Sequence, residues 1–383
     1  MRIHSQQTHR TESINVLFKA ALPVNSRVVI GGGALDDLDR ILTQCQVGQR
    51  IAVLCQSNVR KAYVEPAVAK LEIAKFECRV IELPDGEGCK TPEVLVDLWT
   101  QFQQMKLQRA DCILAIGGGA LTDLAGFAAA TYLRGIKLIL VPTTLLSQVD
   151  AAIGGKTGIN LPSGKNLAGS FYFPTAVIVD SLVLATLPER EITSGLGEII
   201  KYAMIEETIH RETDYRPGPR SLWKLLQDLL RDKSFSADSN ELLGIITACI
   251  KMKLAVVAKD PHEGRLRRCL NLGHTLGHAV EKVSNYKYTH GEAVAIGTVF
   301  VCHLAETLGK WTKEQTGNVI GLLQAAGLPH AIPADFDKEQ LIAAMAFDKK
   351  RVGSAVKWVL PVAHVGTVEL DVEVPIDTVK SLL

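Results

Sequence analysis

Apolar residues fall into two textures along this chain. In the first half, short β-rich runs recur at 27–30, 51–54, 78–83, 112–116, 137–141 and 176–179, with helical patterns between them, as at 35–44 and 92–105. Pro92 suits a first helical turn, where its missing N–H costs nothing. Strands alternating with helices predict a parallel sheet covered on both faces, a Rossmann-like α/β fold. Beyond residue 180, apolar positions recur at helical spacing through 189–205, 221–230, 241–258, 275–283 and 292–308. The stretch RETDYRPGPR at 211–220 reads as a loop, and alternating runs at 356–360 and 366–370 predict a small hairpin. The expected organisation is an α/β domain over 1–180 and a mainly α-helical domain over 181–383. No repeat with a period of roughly 20–50 residues is present. The pair GGGALDDL (31–38) and GGGALTDL (117–124) marks two similar strand-to-helix turns.

Composition adds exclusions. A chain of 383 residues, 47% hydrophobic and 22% charged, can bury a large core. Its net charge of +1 gives no reason to expect nucleic acid or a membrane surface as partner. No apolar run reaches the roughly 18–20 residues needed to span a bilayer. Residues 1–13 are polar and read as a loose tail; a short transit segment is the less favoured alternative. The eight cysteines form no C-x-x-C pair and several sit inside apolar runs, which fits a reduced, cytoplasmic protein.

The candidate chemistry of the first half lies at strand ends. The strand at 112–116 runs into Gly117, Gly118 and Gly119, and a helix begins near Leu121. Glycines there let backbone N–H groups approach a diphosphate at a helix N-terminus, though the pattern is not G-x-G-x-x-G. Asp85-Gly86-Glu87, with Lys90 beyond, ends one strand, and Thr143-Thr144 ends another. In an open parallel sheet the carboxyl ends of strands face the ligand, so these residues outline a nucleotide crevice. The next stretch, DAAIGGKTGINLPSGKN (150–166), is glycine-rich and carries Asp150, Lys156, Lys165 and Asn166. As a loop it suits an anionic, polyhydroxylated ligand.

In the second half, Glu198 and Lys201 share a helix, followed by NLGHTLGH (271–278) and THGE (289–292). Histidines four apart on one helix face are a common zinc arrangement. Spacing alone selects His274 and His278 and does not rank His290 or Glu198 against them. His4, His9, His210, His262, His303, His330 and His364 read as ordinary core or surface histidines.

The long ordered motifs GGGALTDLAGFAAATYLRG, VPTTLLSQVDAAIGGKTGINLPSGKNLAGSFY, LPEREITSGLGEIIKY, CLNLGHTLGHAVE, HGEAVAIG and FDKK closely resemble the 3-dehydroquinate synthase family over roughly 27–370. The resemblance implies an N-terminal NAD-binding domain, a C-terminal metal domain and a homodimer. It implies that Glu198, His274 and His290 bind Zn²⁺ or Co²⁺, and that His278 handles substrate and protons. It also implies that Glu87, Lys90, Asp123, Thr143, Thr144 and the segment Val183–Thr186 contact NAD. Around the substrate it places Asp150, Lys156, Lys165, Asn166, Lys201, Lys253, Arg267, Asn271, His278 and Lys349 or Lys350, with Arg134 reaching in from a partner subunit. The implied substrate is 3-deoxy-D-arabino-heptulosonate 7-phosphate. The implied course is transient oxidation by NAD, loss of phosphate, re-reduction, ring opening and aldol closure, in the shikimate pathway of aromatic amino acid biosynthesis.

Three positions depart from the family pattern. Gly197 stands where Ala is usual, Thr122 where Gly is usual, and Gln56 where an acidic residue or Asn often meets the adenosine ribose. Valiolone-type cyclases typically replace the residue at His278 by Pro and lose the carboxylate-binding arginine. Arg267, Asn271, His278 and Lys253 are all present here, so a carboxylated sugar phosphate is favoured. Aminodehydroquinate synthase would look nearly the same. A metal-dependent polyol dehydrogenase is the more distant alternative, and would not need the Lys156, Lys165, Asn166 and Arg267 set.

Overall fold

The computed structural model describes residues 12–18, 24–232, 235–348 and 356–383. The chain divides into two compact units, 1–187 with 236–243 and 188–235 with 244–383.

The strands of the first unit are β1 (Glu12–Phe18), β2 (Val24–Gly31), β3 (Arg50–Gln56), β4 (Glu77–Leu83), β5 (Cys112–Gly117), β6 (Lys137–Pro142), β7 (Lys156–Leu161), β8 (Gly164–Phe171) and β9 (Ala176–Asp180). Seven form one sheet in the order β1-β2-β9-β6-β5-β3-β4. Only β1 runs antiparallel, so the other six deliver their carboxyl ends to one edge. The tail expected over 1–13 is therefore too long: Glu12 and Ser13 already pair in β1, while 1–11 lie outside the described residues. Every residue of β5 and of β9 is buried. Those strands read as unbroken apolar runs because helices cover both faces, leaving no solvated side to impose alternation. The covering helices are α1 (Leu38–Gln44), a short turn α2 (Ser57–Val59) leading through a π-helical segment into α3 (Glu65–Ile73), α4 (Pro92–Gln104) and α5 (Gly119–Thr131). Thr91 caps α4 by accepting from Val94 N at 3.3 Å, one residue ahead of Pro92.

The segment expected as a loop over 150–166 is more ordered than that. Asp150 sits on a π-helical turn, Ser147–Ala151, and Lys156 opens the β7–β8 hairpin, which carries Lys165 and Asn166. Glycines and small polar residues hide the strand alternation there.

The second unit holds α6 (Glu189–Glu212), α7 (Leu222–Arg231), most of α8 (Asn240–Lys259), α9 (His274–Val283), α10 (His290–Thr307), α11 (Lys313–Ala325), α12 (Lys338–Asp348) and α13 (Ile376–Leu382). The hairpin expected near the end is β10 (Val356–Pro361) with β11 (Val368–Val374). Two close helix contacts organise this unit. A Cβ on Gly197 of α6 would lie 2.5 Å from Gly291 O of α10, and one on Gly291 would lie 1.8 Å from Ser194 O. A Cβ on Gly297 of α10 would lie 1.9 Å from Gly273 O, ahead of α9. In this chain three helical segments thus meet backbone to backbone, and a Cβ at any of these glycines would force them to shift.

Candidate metal centre and dinucleotide edge

Those contacts bring together residues far apart in sequence. Glu198 follows Gly197, His290 precedes Gly291, and His274 follows Gly273. One donor atom from each of Glu198, His274 and His290 lies within 4.8 Å of the others. The start of α10 is set by a capping box. Thr289 Oγ1 accepts from Glu292 N at 3.3 Å and Glu292 Oε2 accepts from Thr289 N at 2.7 Å, which fixes His290 as the first helical residue. Arg190 reaches from α6 to the same carboxylate at 2.9 Å.

The donor chemistry fits a metal ion. His274 Nδ1 donates to Leu272 O at 3.0 Å, and burial outweighs the pull of Glu198 to lower its pKa to about 3. The ring is therefore neutral, and the bare lone pair of Nε2 faces Glu198 Oε1 at 3.4 Å. His290 Nδ1 donates to Glu281 Oε2 at 3.3 Å, and its Nε2 lies 3.3 Å from the same Glu198 oxygen. Burial opposes charge on His290, but its contacts with Glu198 and Glu281 outweigh it and raise the pKa to about 10. A protonated His290, itself half-buried, pairs with the buried carboxylate of Glu198, so metal binding would expel a proton. Both oxygens of Glu198 are buried and neither receives a well-formed hydrogen bond, although Lys201 Nζ is in ion-pair contact with Oε2. Burial alone would raise the Glu198 pKa; Lys201 and then the two histidines hold it well below the carboxylate range. A tetrahedral Zn²⁺ with bonds of about 2.0–2.1 Å sets its ligand atoms about 3.3 Å apart, close to the 3.4 and 3.3 Å from Glu198 Oε1 to the Nε2 atoms of His274 and His290. His278, Glu281 and His290 form a second group within 4.8 Å. It shares His290 through Nδ1, whose proton is committed to Glu281, so Glu281 acts as the outer partner that orients the ring.

The same unit carries the basic residues of the expected substrate site. Lys201, Lys253 and Arg267 are all buried, and Arg267 Nη1 donates to Pro261 O at 2.7 Å. Asn271 Nδ2 donates to Glu263 Oε1 at 2.7 Å. Glu263 escapes a reading by motif; its φ of 60° in a loop is the structural sign that singles it out. Asp260 accepts the N–H groups of Gly264, Arg265 and Arg267 at 2.7, 2.8 and 3.0 Å and so shapes the turn that presents Arg267. Lys349 and Lys350 lie outside the described residues.

In the first unit, Gly118 caps α5 without a side-chain hydrogen bond, leaving the first turn open to an anion. The helix begins at Gly119, slightly before the expected Leu121. Cβ atoms on Gly118 and Gly119 would come within 3.2 Å of Thr144 Cγ2 and 3.1 Å of Ala151 Cβ. Thr122 is buried and donates to Gly119 O at 3.0 Å, which gives that departure a local role. Thr143 is buried at the end of β6, and Thr144 Oγ1 accepts from Ser147 N at 3.2 Å. Lys90 Nζ contacts Asp123 Oδ2 at 2.7 Å and Asn166 Oδ1 at 2.5 Å. Val183 O and Thr186 Oγ1 are held by Tyr63 OH at 3.0 and 2.6 Å. Asp85 takes Ser57 N and Oγ at 3.2 and 2.8 Å, while Gln56 donates to Pro84 O and Gly86 O at 2.8 and 3.2 Å. The amide nitrogen of Gln56 is thus committed to the loop after β4. Arg134 is exposed on a left-handed turn, φ 62°. Sequence reading missed two buried organisers of this edge. Asp180 accepts from Gly33 N, Leu35 N and Leu182 N at 2.8, 3.0 and 2.9 Å, and Gln148 donates to Pro142 O and Asp180 O at 3.2 and 2.8 Å.

Solved structures share this fold. 2-Deoxy-scyllo-inosose synthase, in complex with carbaglucose-6-phosphate, NAD⁺ and Co²⁺, matches with a TM-score of 0.84 and 25% identity, over 97% of this chain and 99% of that one. 2-Epi-5-epi-valiolone synthase from Streptomyces hygroscopicus subsp. jinggangensis, with NAD⁺ and Zn²⁺ bound, matches with a TM-score of 0.82 and 25% identity, over 95% and 97%. The fold is that of the sugar-phosphate cyclases. Within that class, the N-terminal and C-terminal family models of 3-dehydroquinate synthase match residues 80–194 and 195–351. The 3-dehydroquinate synthase of Nostoc punctiforme is 40% identical over 96% of this chain and 98% of its own length. The chain belongs to the 3-dehydroquinate synthase family.

Proposed function

We propose that this chain converts 3-deoxy-D-arabino-heptulosonate 7-phosphate to 3-dehydroquinate and phosphate, as a carbon–oxygen lyase of the shikimate pathway. The observation that carries the reading is the Glu198, His274 and His290 donor set in a unit that also buries Lys201, Lys253 and Arg267. Such cations suit a substrate bearing both a carboxylate and a phosphate, with Arg267 matching the planar carboxylate. Glu198, His274 and His290 would hold Zn²⁺ or Co²⁺; the open turn at Gly118, with Asp123, Thr143, Thr144, Val183 and Thr186, would hold NAD. Bound there, the metal supplies polarisation of a secondary alcohol and NAD supplies a reversible hydride acceptor. Asn271 and Glu263 orient polar groups of the substrate, and His278 holds or moves a proton beside it. Lys156, Lys165 and Asn166 would offer cationic and amide contacts to the substrate, with Asp150 accepting from hydroxyls.

We place the enzyme in the cytoplasm, a reading supported by eight free cysteines. We also read it as a homodimer in which Arg134 serves the partner's site, supported by the exposure of that guanidinium on a fixed turn. Purified protein with NAD and Zn²⁺ or Co²⁺ is expected to release phosphate from the heptulosonate. Turnover of sedoheptulose 7-phosphate with no reaction of the acid would overturn the assignment, and preference for an amino analogue of the acid would move it to aminodehydroquinate synthase.

A further inference from the structure

The β7–β8 hairpin contains an irregularity that none of these assignments uses. Its ladder pairs Ile159 with Ala168 and then Leu161 with Gly164. Between those pairs Asn160 alone faces Lys165, Asn166 and Leu167, so the bulge displays two residues of the proposed substrate set. The side chain of Asn160 fills the gap in the ladder. Its Oδ1 accepts from Asn166 N at 3.0 Å, with Asn166 held at a left-handed φ of 55°. Its Nδ2 donates to Glu87 Oε2 at 2.7 Å, and its backbone N–H donates to Lys90 O at 2.8 Å. Asn166 closes the circuit, since its Oδ1 accepts from Lys90 Nζ. Bulges beside active sites commonly re-aim a side chain, and this one is tied on one side to Glu87 and Lys90 and on the other to Asn166.

We propose that Asn160 is a positioning residue that makes dinucleotide binding and sugar-phosphate binding depend on each other. The inference rests on the function proposed above, with Glu87, Lys90 and Asp123 contacting NAD and Lys165 and Asn166 contacting the substrate, as the family resemblance implies. A ligand that fixes Glu87 and Lys90 fixes Asn166 through Asn160, and linkage makes the effect reciprocal. An amide is suited to this place because it donates to a carboxylate and accepts from a backbone N–H with one short side chain. Aspartate would set two carboxylates against each other at Glu87.

The test measures the Kd for NAD without and with a saturating non-reacting analogue of the heptulosonate phosphate, and the converse, on the full Zn²⁺-loaded chain. Wild type is expected to show a ratio of about 5-fold or more. Asn160→Asp is expected to bring the ratio close to unity while kcat with both ligands saturating falls far less. Adding Glu87→Gln to that variant restores a donor opposite the introduced carboxylate with the polarity reversed, and is expected to recover most of the ratio. If Asn160→Asp does not fold, Asn160→Ala, which removes both bonds without adding charge, is expected to give the same loss. A wild-type ratio of unity overturns the inference, as does a variant that keeps the full ratio or a double variant that recovers none. Absence of any wild-type turnover of the acid would instead sink the proposed function, and the inference with it.

Discussion

The ammonium of Lys90 lies 2.7 Å from Asp123 Oδ2, with the lysine side chain 2% exposed and the aspartate 21%. A buried cation tied to one carboxylate is costly to break from either side, because the survivor keeps its desolvation without its partner. Lys90→Met leaves Asp123 with residual access to water, which discounts the loss to about 2 kcal/mol, below the usual range for fully buried pairs. Urea unfolding at neutral pH reads this directly. An unchanged midpoint and slope would show that the pair contributes nothing.

The metal set separates two neighbouring histidines. His274→Ala is expected to weaken Zn²⁺ by more than the loss of an outer partner does, which is about 10–100-fold. His278→Ala is expected to keep near wild-type affinity while losing turnover. Titration against a coloured chelator reports both. Equal loss of Zn²⁺ in the two variants would make the pair four apart on α9 the ligands.

How much of this was legible in the sequence follows from where the information lies. The central parallel strands announce themselves because burial on both faces writes them as local apolar runs, as at 112–116, whereas the edge strand β4 is partly exposed and mixes polar with apolar residues. The β7–β8 hairpin hides, because its bulge and its glycines erase the period of two. The helices carrying Glu198, His274 and His290 are equally plain, but their convergence is not. It depends on Gly197 meeting Gly291 and Gly297 meeting Gly273, contacts between segments up to about a hundred residues apart that no local spacing encodes. Spacing therefore favours His274 with His278, and only the family resemblance points to the trio that the structure draws together. Likewise Asp180 and Gln148 act through backbone partners, for which neither residue type is a signal.

The Gly197–Gly291 contact gives a direct packing test. Gly197→Ala places a methyl carbon 2.5 Å from a backbone oxygen, so α10 must shift. The expected loss is about 1–3 kcal/mol, with a larger effect for Gly291→Ala. Thermal unfolding with and without Zn²⁺ checks this, since a displaced His290 should also shrink the stabilisation by metal. No change for Gly197→Ala would mean that the helices yield freely.

Acid sensitivity is expected at Asp260. Burial would raise its pKa, but the N–H groups of Arg267, Arg265 and Gly264 outweigh that and lower it. A depressed carboxylate stabilises fully above its unfolded value of about 3.9, and the contribution is lost as pH falls through the lower folded value. Asp260→Asn is therefore expected to be less stable than wild type at neutral pH, with the gap narrowing below pH of about 4. A gap that stays constant on acidification would exclude the carboxylate as its source.

Because Glu198 and His290 flank glycines pressed main chain to main chain, the distance between their donor atoms is anchored in the backbone rather than in adaptable side chains. Such a cage would select by ionic radius. Holding the metal as proposed, it would take Zn²⁺ or Co²⁺, whereas Ca²⁺, with bonds of about 2.3–2.6 Å and a demand for six or more oxygens, would have to pry two helices apart.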